Sequence, residues 1–322
     1  MDFRTIIKPL DFAGTLNHTT PMMLLGSCFS DNIGQRLKQR LFPVMVNPFG
    51  TLYNPASILA VLRRITSDDE FSAEELFLHQ GLYRNFLCHS SLSGTEAEIT
   101  LATMNQRLHD ASRFLQSASA IFLTFGTAWV FRHNKSGIIV ANCHKLPAYE
   151  FTRSILSIAQ ATENITQIVT EIRRINNNAK IFFSVSPIRH LADGAHGNQI
   201  SKSTLLMAVD SVISSTSDIT YIPAYEILND DLRDYRFYEA DMCHPSGVAS
   251  DYVFDYISNS FFDSETKNLA QKCAKFTAMH SHRILSDDRI SKDAHNSLLE
   301  LKRHELLTAY PQLSMSLKLF NL

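Results

Sequence analysis

The chain has 322 residues, enough for one large domain or two modest ones at roughly 100–200 residues each. Hydrophobic residues make up 45% and charged residues 19%, a globular balance that excludes wholesale disorder. The formal charge is −2, from 30 Lys+Arg against 32 Asp+Glu, so no global positive field favours a nucleic-acid partner.

Met1 to Asn17 has neither a basic start nor an apolar core of about 7–15 residues, which argues against a signal peptide. No run approaches about 18 apolar residues, so no membrane span is expected. The cysteines are Cys28, Cys88, Cys143, Cys243 and Cys273. An odd number without an export signal suggests reduced thiols and a cytoplasmic protein.

Pro21 to Leu25 is a short apolar run that ends at Gly26-Ser27-Cys28. Ser30-Asp31-Asn32 then offers capping and first-turn groups, and Ile33 and Leu37 are spaced for one helix face. The pattern predicts a strand, a tight turn and a helix. Val44 to Val46 predicts a second strand, stopped by Asn47-Pro48-Phe49-Gly50, and Pro55 to Arg64 a helix. Leu101, Met104, Leu108, Ala111 and Leu115 mark a helix over 101–116, whereas 76–95 shows no clear pattern. Ala118 to Phe125 is almost wholly apolar, as in a strand buried in a parallel sheet. A hairpin through 129–141 and a helix over 154–176 are expected next. Lys180 to Val185 reads as another buried strand, ended at Ser186-Pro187. Lys202 to Ser214 predicts a helix, Ile219 to Ile222 a strand and Gly247 to Ile257 a helix. Helices are also expected over 264–280 and 292–308.

Strands alternating with helices predict a three-layer α/β/α sandwich around a mostly parallel sheet. The main domain is expected over 1–260, with 60–115 as a helical insertion, and 261–322 as a C-terminal helical extension.

In such sheets ligands bind beyond the carboxyl ends of the strands. Here those ends carry Ser27 and Cys28, Asn47 and Gly50, Gly126 and Thr127, then Ser186, Arg189 and His190. Further on come Glu226 and Asp241-Met242-Cys243-His244-Pro245. A thiol or hydroxyl at a helix start is flanked by backbone N–H groups that stabilise a thiolate and an oxyanion. A histidine can take and return its proton, and an aspartate can fix the imidazole tautomer. The competing reading of Cys28 is a small buried hydrophobe. Ser27 is a second nucleophile candidate or a helix cap.

The turn LLGSCFS at 24–30 resembles the founding motif of the GSCFA domain family. So do NPFGTLYNP at 47–55, TFGTAWVF at 124–131, ANCHKLP at 141–147 and SVSPIRHLADGAHGNQISKSTLL at 184–206. YIPAYEILNDDLRDYRFY at 221–238 and DMCHPS at 241–246 extend the resemblance over about residues 20–260.

That family resembles the SGNH, or GDSL-like, hydrolase superfamily, which implies the three-layer sandwich and acyl-ester chemistry. Set on the superfamily's Gly-Asp-Ser block, Gly26-Ser27-Cys28 makes Cys28, rather than Ser27, the better nucleophile candidate. A Cys there is also similar to the Gly-Asn-Cys of WcbI-like polysaccharide-biosynthesis proteins, which are acyltransferase-like. The resemblance implies Gly50 as an oxyanion donor and Asp241 and His244 as the Asp-x-x-His block. In the Gly-x-Asn block, Gly126-Thr127-Ala128 places Ala where the Asn belongs. Asn142, Thr127 and Asn47 are candidate substitutes for the missing donor.

Arg189 and His190 either sit in a solvated loop or clamp a substrate anion, since guanidinium matches carboxylate and phosphate bidentately. No metal is expected, because the Cys and His residues lack ligand spacing. The implied function is hydrolysis or transfer of an acyl group on an oxygen ester or thioester of a small molecule or carbohydrate. No cofactor is required, though transfer would call for an acyl donor such as coenzyme A. The alternatives are a catalytically inactive ligand-binding protein of the same fold, or an interaction protein whose C-terminal helices form the contact surface.

Overall fold

The protein is described by a computed structural model covering residues 3–282, 289–320 and 322. A five-stranded, wholly parallel sheet forms its centre. In chain order the elements begin with β1 (Met22–Gly26), α1 (Cys28–Gln39), β2 (Val44–Val46) and α2 (Pro55–Ser67). A hairpin of β3 (Phe77–His79) and β4 (Leu82–Arg84) then leads to α3 (Ala97–Ser117) and β5 (Ala120–Phe125). A small antiparallel sheet follows, of β6 (Trp129–His133), β7 (Ile139–Val140) and β8 (Phe151–Ile155). The chain continues through α4 (Ile158–Ile175), β9 (Lys180–Val185), α5 (Gly194–Ser215) and β10 (Ile219–Tyr221). The short α6 (Ala224–Glu226) runs into a π-helical turn over Ile227–Leu232. The remaining helices are α7 (Gly247–Phe261), α8 (Ser264–Ser281), α9 (Arg289–Ala309) and α10 (Ser314–Leu319).

The central strands lie in the order β10-β9-β5-β1-β2. The chain therefore steps from β1 outward to β2, then crosses back to pair β5 on the other side of β1. That reversal is the switch point of a doubly wound sheet, where the crevice for a ligand opens.

Alternation along each strand assigns the two faces. Met23, Leu25, Ile121, Leu123, Phe125, Ile181 and Phe183 join one core with Leu62 of α2, Leu108 of α3, Ile168 of α4 and Leu205 of α5. Met22, Leu24, Phe122 and Phe182 join a second core with Ile33 of α1 and Phe254 of α7. Burial on both faces is why these strands read as continuous apolar text rather than alternation. The three-layer sandwich expected from the sequence is the fold observed.

Some expectations shift. Residues 60–115, expected as a helical insertion, hold the end of α2 and most of α3, whose apolar faces join the first core. The β3–β4 hairpin and a 3₁₀ turn at Ser90–Leu92 lie in the stretch 76–95, which showed no pattern. The helix expected over 154–176 begins at Ile158, because Ser157 and Gln160 form a capping box there. Residues 151–155 before it pair with β6 instead. The C-terminal helices pack through Leu269, Cys273, Phe276 and Leu317 around Leu41, which follows α1.

Gly26 ends β1 at φ 142°, and a Cβ there would lie 2.2 Å from the Thr124 carbonyl oxygen of β5. Gly26→Ala is expected to destabilise the protein by at least about 3 kcal/mol, since strain and a backbone clash add. Urea unfolding of wild type and variant checks this.

Candidate active site

The turn after β1 is held from two directions. Asn47, just past β2, accepts from the Gly26 N–H with Oδ1 at 2.9 Å and donates from Nδ2 to Asp31 Oδ1 at 2.8 Å. Ser27 is the N-cap of α1, its hydroxyl accepting from the Phe29 N–H at 3.3 Å. Ser27 is also 1% exposed. Of its two sequence readings, nucleophile or helix cap, the geometry displays the cap. Cys28 is the first helical residue and is only partly covered.

Cys28 opens onto a pocket of about 560 Å³, within the range of small-molecule sites. His244 lines the same pocket. Its ring is set by Asp241, whose Oδ2 lies 2.6 Å from Nδ1. Asp241 Oδ1 also accepts the N–H groups of Cys243 and His244, at 2.9 and 3.0 Å. The backbone bond from His244, then that from Cys243 and the imidazole contact, hold the Asp241 carboxyl down at about 2. An ionised carboxylate only accepts, so His244 Nδ1 carries the hydrogen and Nε2 is left as the basic nitrogen. The loop is anchored by backbone: Glu239 N–H to His244 O, Ser246 N–H to Phe237 O, both 2.8 Å, and Arg189 N–H to Cys243 O, 3.3 Å. Cys28 and His244 face one pocket without a hydrogen bond between them.

Burial, and then the nearby Asp31 carboxylate, push the Cys28 thiol above its ordinary value. Its own N–H, Lys202 and the Phe29 N–H pull the other way. The resting group is therefore a thiol rather than a preformed thiolate.

Thr127, Asn142, Arg189 and His190 also line the pocket. Asn142 Oδ1 accepts from the His144 N–H at 2.7 Å, which leaves its Nδ2 uncommitted. Arg189 Nη2 reaches Asn229 Oδ1 at 3.4 Å and has no carboxylate partner among the described residues. His190 is held down at about 4 by burial, and its Nε2 is buried without a partner.

The remaining candidates lie elsewhere. Asn47 is spent on the turn described above and does not reach the pocket. Gly50 donates its N–H to the Asn47 carbonyl at 2.8 Å and is packed where a Cβ would meet His89 at 2.1 Å. Expected as an oxyanion donor, Gly50 sits in a turn with its N–H on Asn47 O and does not line the pocket. Gly126 and Thr127 both donate their N–H to the Tyr53 carbonyl at 2.8 Å. Ala128 is fully buried in the core, with its N–H on Ser201 Oγ at 2.8 Å, so its side chain points away from the pocket.

The pocket-facing amide of Asn54, together with Arg153 and Lys202, escaped the sequence, whereas Trp129 lines the pocket as one of its two sequence readings allowed. Asn54 caps α2 through Oδ1, at 2.8 Å from the Ser57 N–H, while its Nδ2 has no acceptor and the residue lines the pocket. The sequence reading began this helix at Pro55 and gave Asn54 no role. Trp129 forms a wall with the Arg153 guanidinium 3.9 Å above its ring, and Arg153 pairs with Asp193. Lys202 of α5 is wholly buried, its Nζ donating to the Gly126 and Ser186 carbonyls past the ends of β5 and β9.

The model of the GSCFA family matches residues 21–256. The chain belongs to the GSCFA family. The match ends within α7, so α8, α9 and α10 lie beyond the part shared with the family. A comparison with curated proteins finds no match. Among solved structures, this GSCFA protein is similar to a carbohydrate esterase family 3 protein from Talaromyces cellulolyticus, at 7% identity and a TM-score of 0.37, covering 78% of this chain and 98% of that one. It is similar to a carbohydrate esterase family 2 enzyme of Corynascus thermopiles (Myceliophthora fergusii), at 11% identity and 0.39, covering 83% and 68%. It is also similar to an acetyl xylan esterase of the rumen bacterium Butyrivibrio proteoclasticus, at 11% and 0.37, covering 75% and 64%. Likenesses this distant carry no argument about chemistry. No described helix is long and apolar enough to cross a membrane, and no group of metal-ligating side chains occurs among the described residues.

Two predictions follow from this geometry. Asn47→Asp sets a second carboxylate against Asp31 and removes the donor between them, at an expected cost of about 2–3 kcal/mol near pH 7. The loss shrinks toward pH 4, where a shared proton relieves the repulsion; urea titrations at both pH values check it. Separately, His18 and His190 both sit at about 4 in the fold because they are buried. Unfolded histidines titrate near ~6.5. Their contribution is thus complete above about pH 6.5 and is lost as pH falls toward 4. Urea midpoints should drop across that window, and His18→Gln should flatten the slope.

Proposed function

We propose that this protein hydrolyses or transfers an acyl group carried as an oxygen ester or thioester, with Cys28 as nucleophile. The observation that carries this reading is the shared pocket. It joins a partly exposed thiol at the start of α1 to a histidine whose tautomer is fixed by an ionised aspartate.

His244 Nε2 takes the Cys28 proton as sulfur attacks the carbonyl carbon. The resting thiol needs this base because its own environment disfavours the thiolate. The Cys28 N–H, which has no acceptor, and Asn54 Nδ2 supply the oxyanion donors in place of Gly50 and the absent Asn. The tetrahedral adduct collapses, and the leaving oxygen or sulfur collects the proton from His244. Water or an acceptor hydroxyl then attacks the acyl-cysteine and gives its proton to His244. Sulfur leaves and is reprotonated. Water yields hydrolysis; a sugar hydroxyl yields transfer. Catalytic apo sites often tighten only on binding substrate, which accommodates the open Cys28–His244 pair.

The same open pair also supports a second reading, a ligand-binding protein that has kept the fold without turnover. Acyl-enzyme mass discriminates the two. Incubation with activated acetyl esters and acetyl thioesters should add one acetyl group to the Cys28 peptide. Cys28→Ala should abolish labelling, and His244→Ala should lower kcat/KM by on the order of 10²–10⁴. Absence of acylation across the panel, with pocket ligands still binding, would establish the second reading.

A further inference from the structure

Lys202 is 0% exposed, yet no carboxylate pairs with it among the described residues. Its Nζ donates to the Gly126 carbonyl at 2.6 Å and the Ser186 carbonyl at 2.7 Å. These carbonyls lie just past the ends of β5 and β9. An ammonium has three donors, so one remains uncommitted. Gly126 in turn packs against the turn that carries the nucleophile: a Cβ on it would stand 3.3 Å from Ser27 Cβ.

Tying two carbonyls does not require a charge. Elsewhere in this chain Asn176 does the same task with a neutral amide, donating to Leu115 O at 2.7 Å and Ala118 O at 2.8 Å. Burying an ammonium without a counterion is costly. A negative charge that arises only at certain moments would offset that cost. The acyl-transfer cycle generates one at Cys28 sulfur and one at the carbonyl oxygen.

We propose that Lys202 is a positioning residue for the nucleophile, its ammonium serving as the buried countercharge to the Cys28 thiolate and to the oxyanion formed beside it. This rests on the reading of Cys28 as nucleophile. Burial pulls Lys202 down to about 7, and the Cys28 charge pulls it back up. The cation is thus stabilised when the sulfur is anionic, and the sulfur when lysine is cationic. Other groups share the environment. Asp31 on α1 opposes the thiolate, Tyr53 flanks it, and Arg189, His190 and His244 line the same pocket. Arg153 is paired with Asp193. Among these, Lys202 is the cation that acts on the Cys28 thiol itself.

The test follows alkylation of the Cys28 peptide against pH by mass spectrometry, using the full chain. Lys202→Gln keeps donors for the two carbonyls without charge; Lys202→Met removes both. In either variant the Cys28 profile should move up by one pH unit or more, a tenfold slower reaction near pH 7.5, while Gln retains more of the melting temperature than Met. A folded variant with an unchanged profile overturns the proposal.

A second measurement needs no lysine substitution. With Cys143 and Cys243 replaced by Ser, Cys28 is capped with iodoacetate or with iodoacetamide, which differ in one charge at similar size. The Lys202 ε-carbon titration should lie higher in the carboxymethyl form, by linkage. Equal midpoints overturn the proposal. The nucleophile reading fails separately, through acylation that persists in Cys28→Ala.

Discussion

The site depends on how closely β1 and β5 approach at Gly26. No side chain fits between that α-carbon and the Thr124 carbonyl, so the chain leaves β1 at an angle open only to glycine. The next residue must then begin a helix at once. Ser27 caps it, and Asn47 braces the turn from the neighbouring strand while fixing Asp31 in the first helical turn. Cys28 is consequently presented at the sheet's switch point with its N–H unspent. Remove the close approach and the thiol loses its bearing on the pocket.

The polar groups around Cys28 are arranged with opposing tendencies. Asp31 and burial disfavour a thiolate, whereas the helix start and Lys202 favour one. The result is a thiol held back at rest. His190 stays neutral through burial, so it adds a polar edge to the pocket without a competing charge. The loop from Asp241 to His244 is stiffened by its own carboxylate and by backbone bonds to its flanks and to Arg189. The charged residues Asp234 and Arg236 contribute a local exposed pair, while backbone bonds at Phe237 and Glu239 do the anchoring.

Much of the fold was legible because buried parallel strands announce themselves as unbroken apolar runs, and Met22–Gly26, Ala120–Phe125 and Lys180–Val185 are such runs. Strand ends then pointed to Cys28, Thr127, Arg189, His190 and His244, which the pocket does gather. What failed was direction. Position 128 matched a motif column, yet its side chain turns into the core, and Gly50 matched a donor whose N–H closes its own turn. Sequence spacing does not say which way a residue on an irregular loop faces. Lys202 was invisible for another reason: a lysine in helical text ordinarily marks the solvated face, and here the face bearing it lies beneath two strand ends.

These placements bear on why, in the proposed mechanism, the nucleophile is a thiol. With Gly50 engaged and position 128 turned inward, the pocket offers fewer oxyanion donors than a serine hydrolase built on the same plan would want. Sulfur lessens that demand, because a thiol is far easier to deprotonate than a hydroxyl and departs readily from the acyl intermediate. A diffuse buried cation can then carry part of the charge that directed donors would otherwise hold. On the proposed reading, Cys28, Asn54 and Lys202 form a single solution: a softer nucleophile, one displaced amide donor, and a positive charge set behind the strand ends rather than in the pocket.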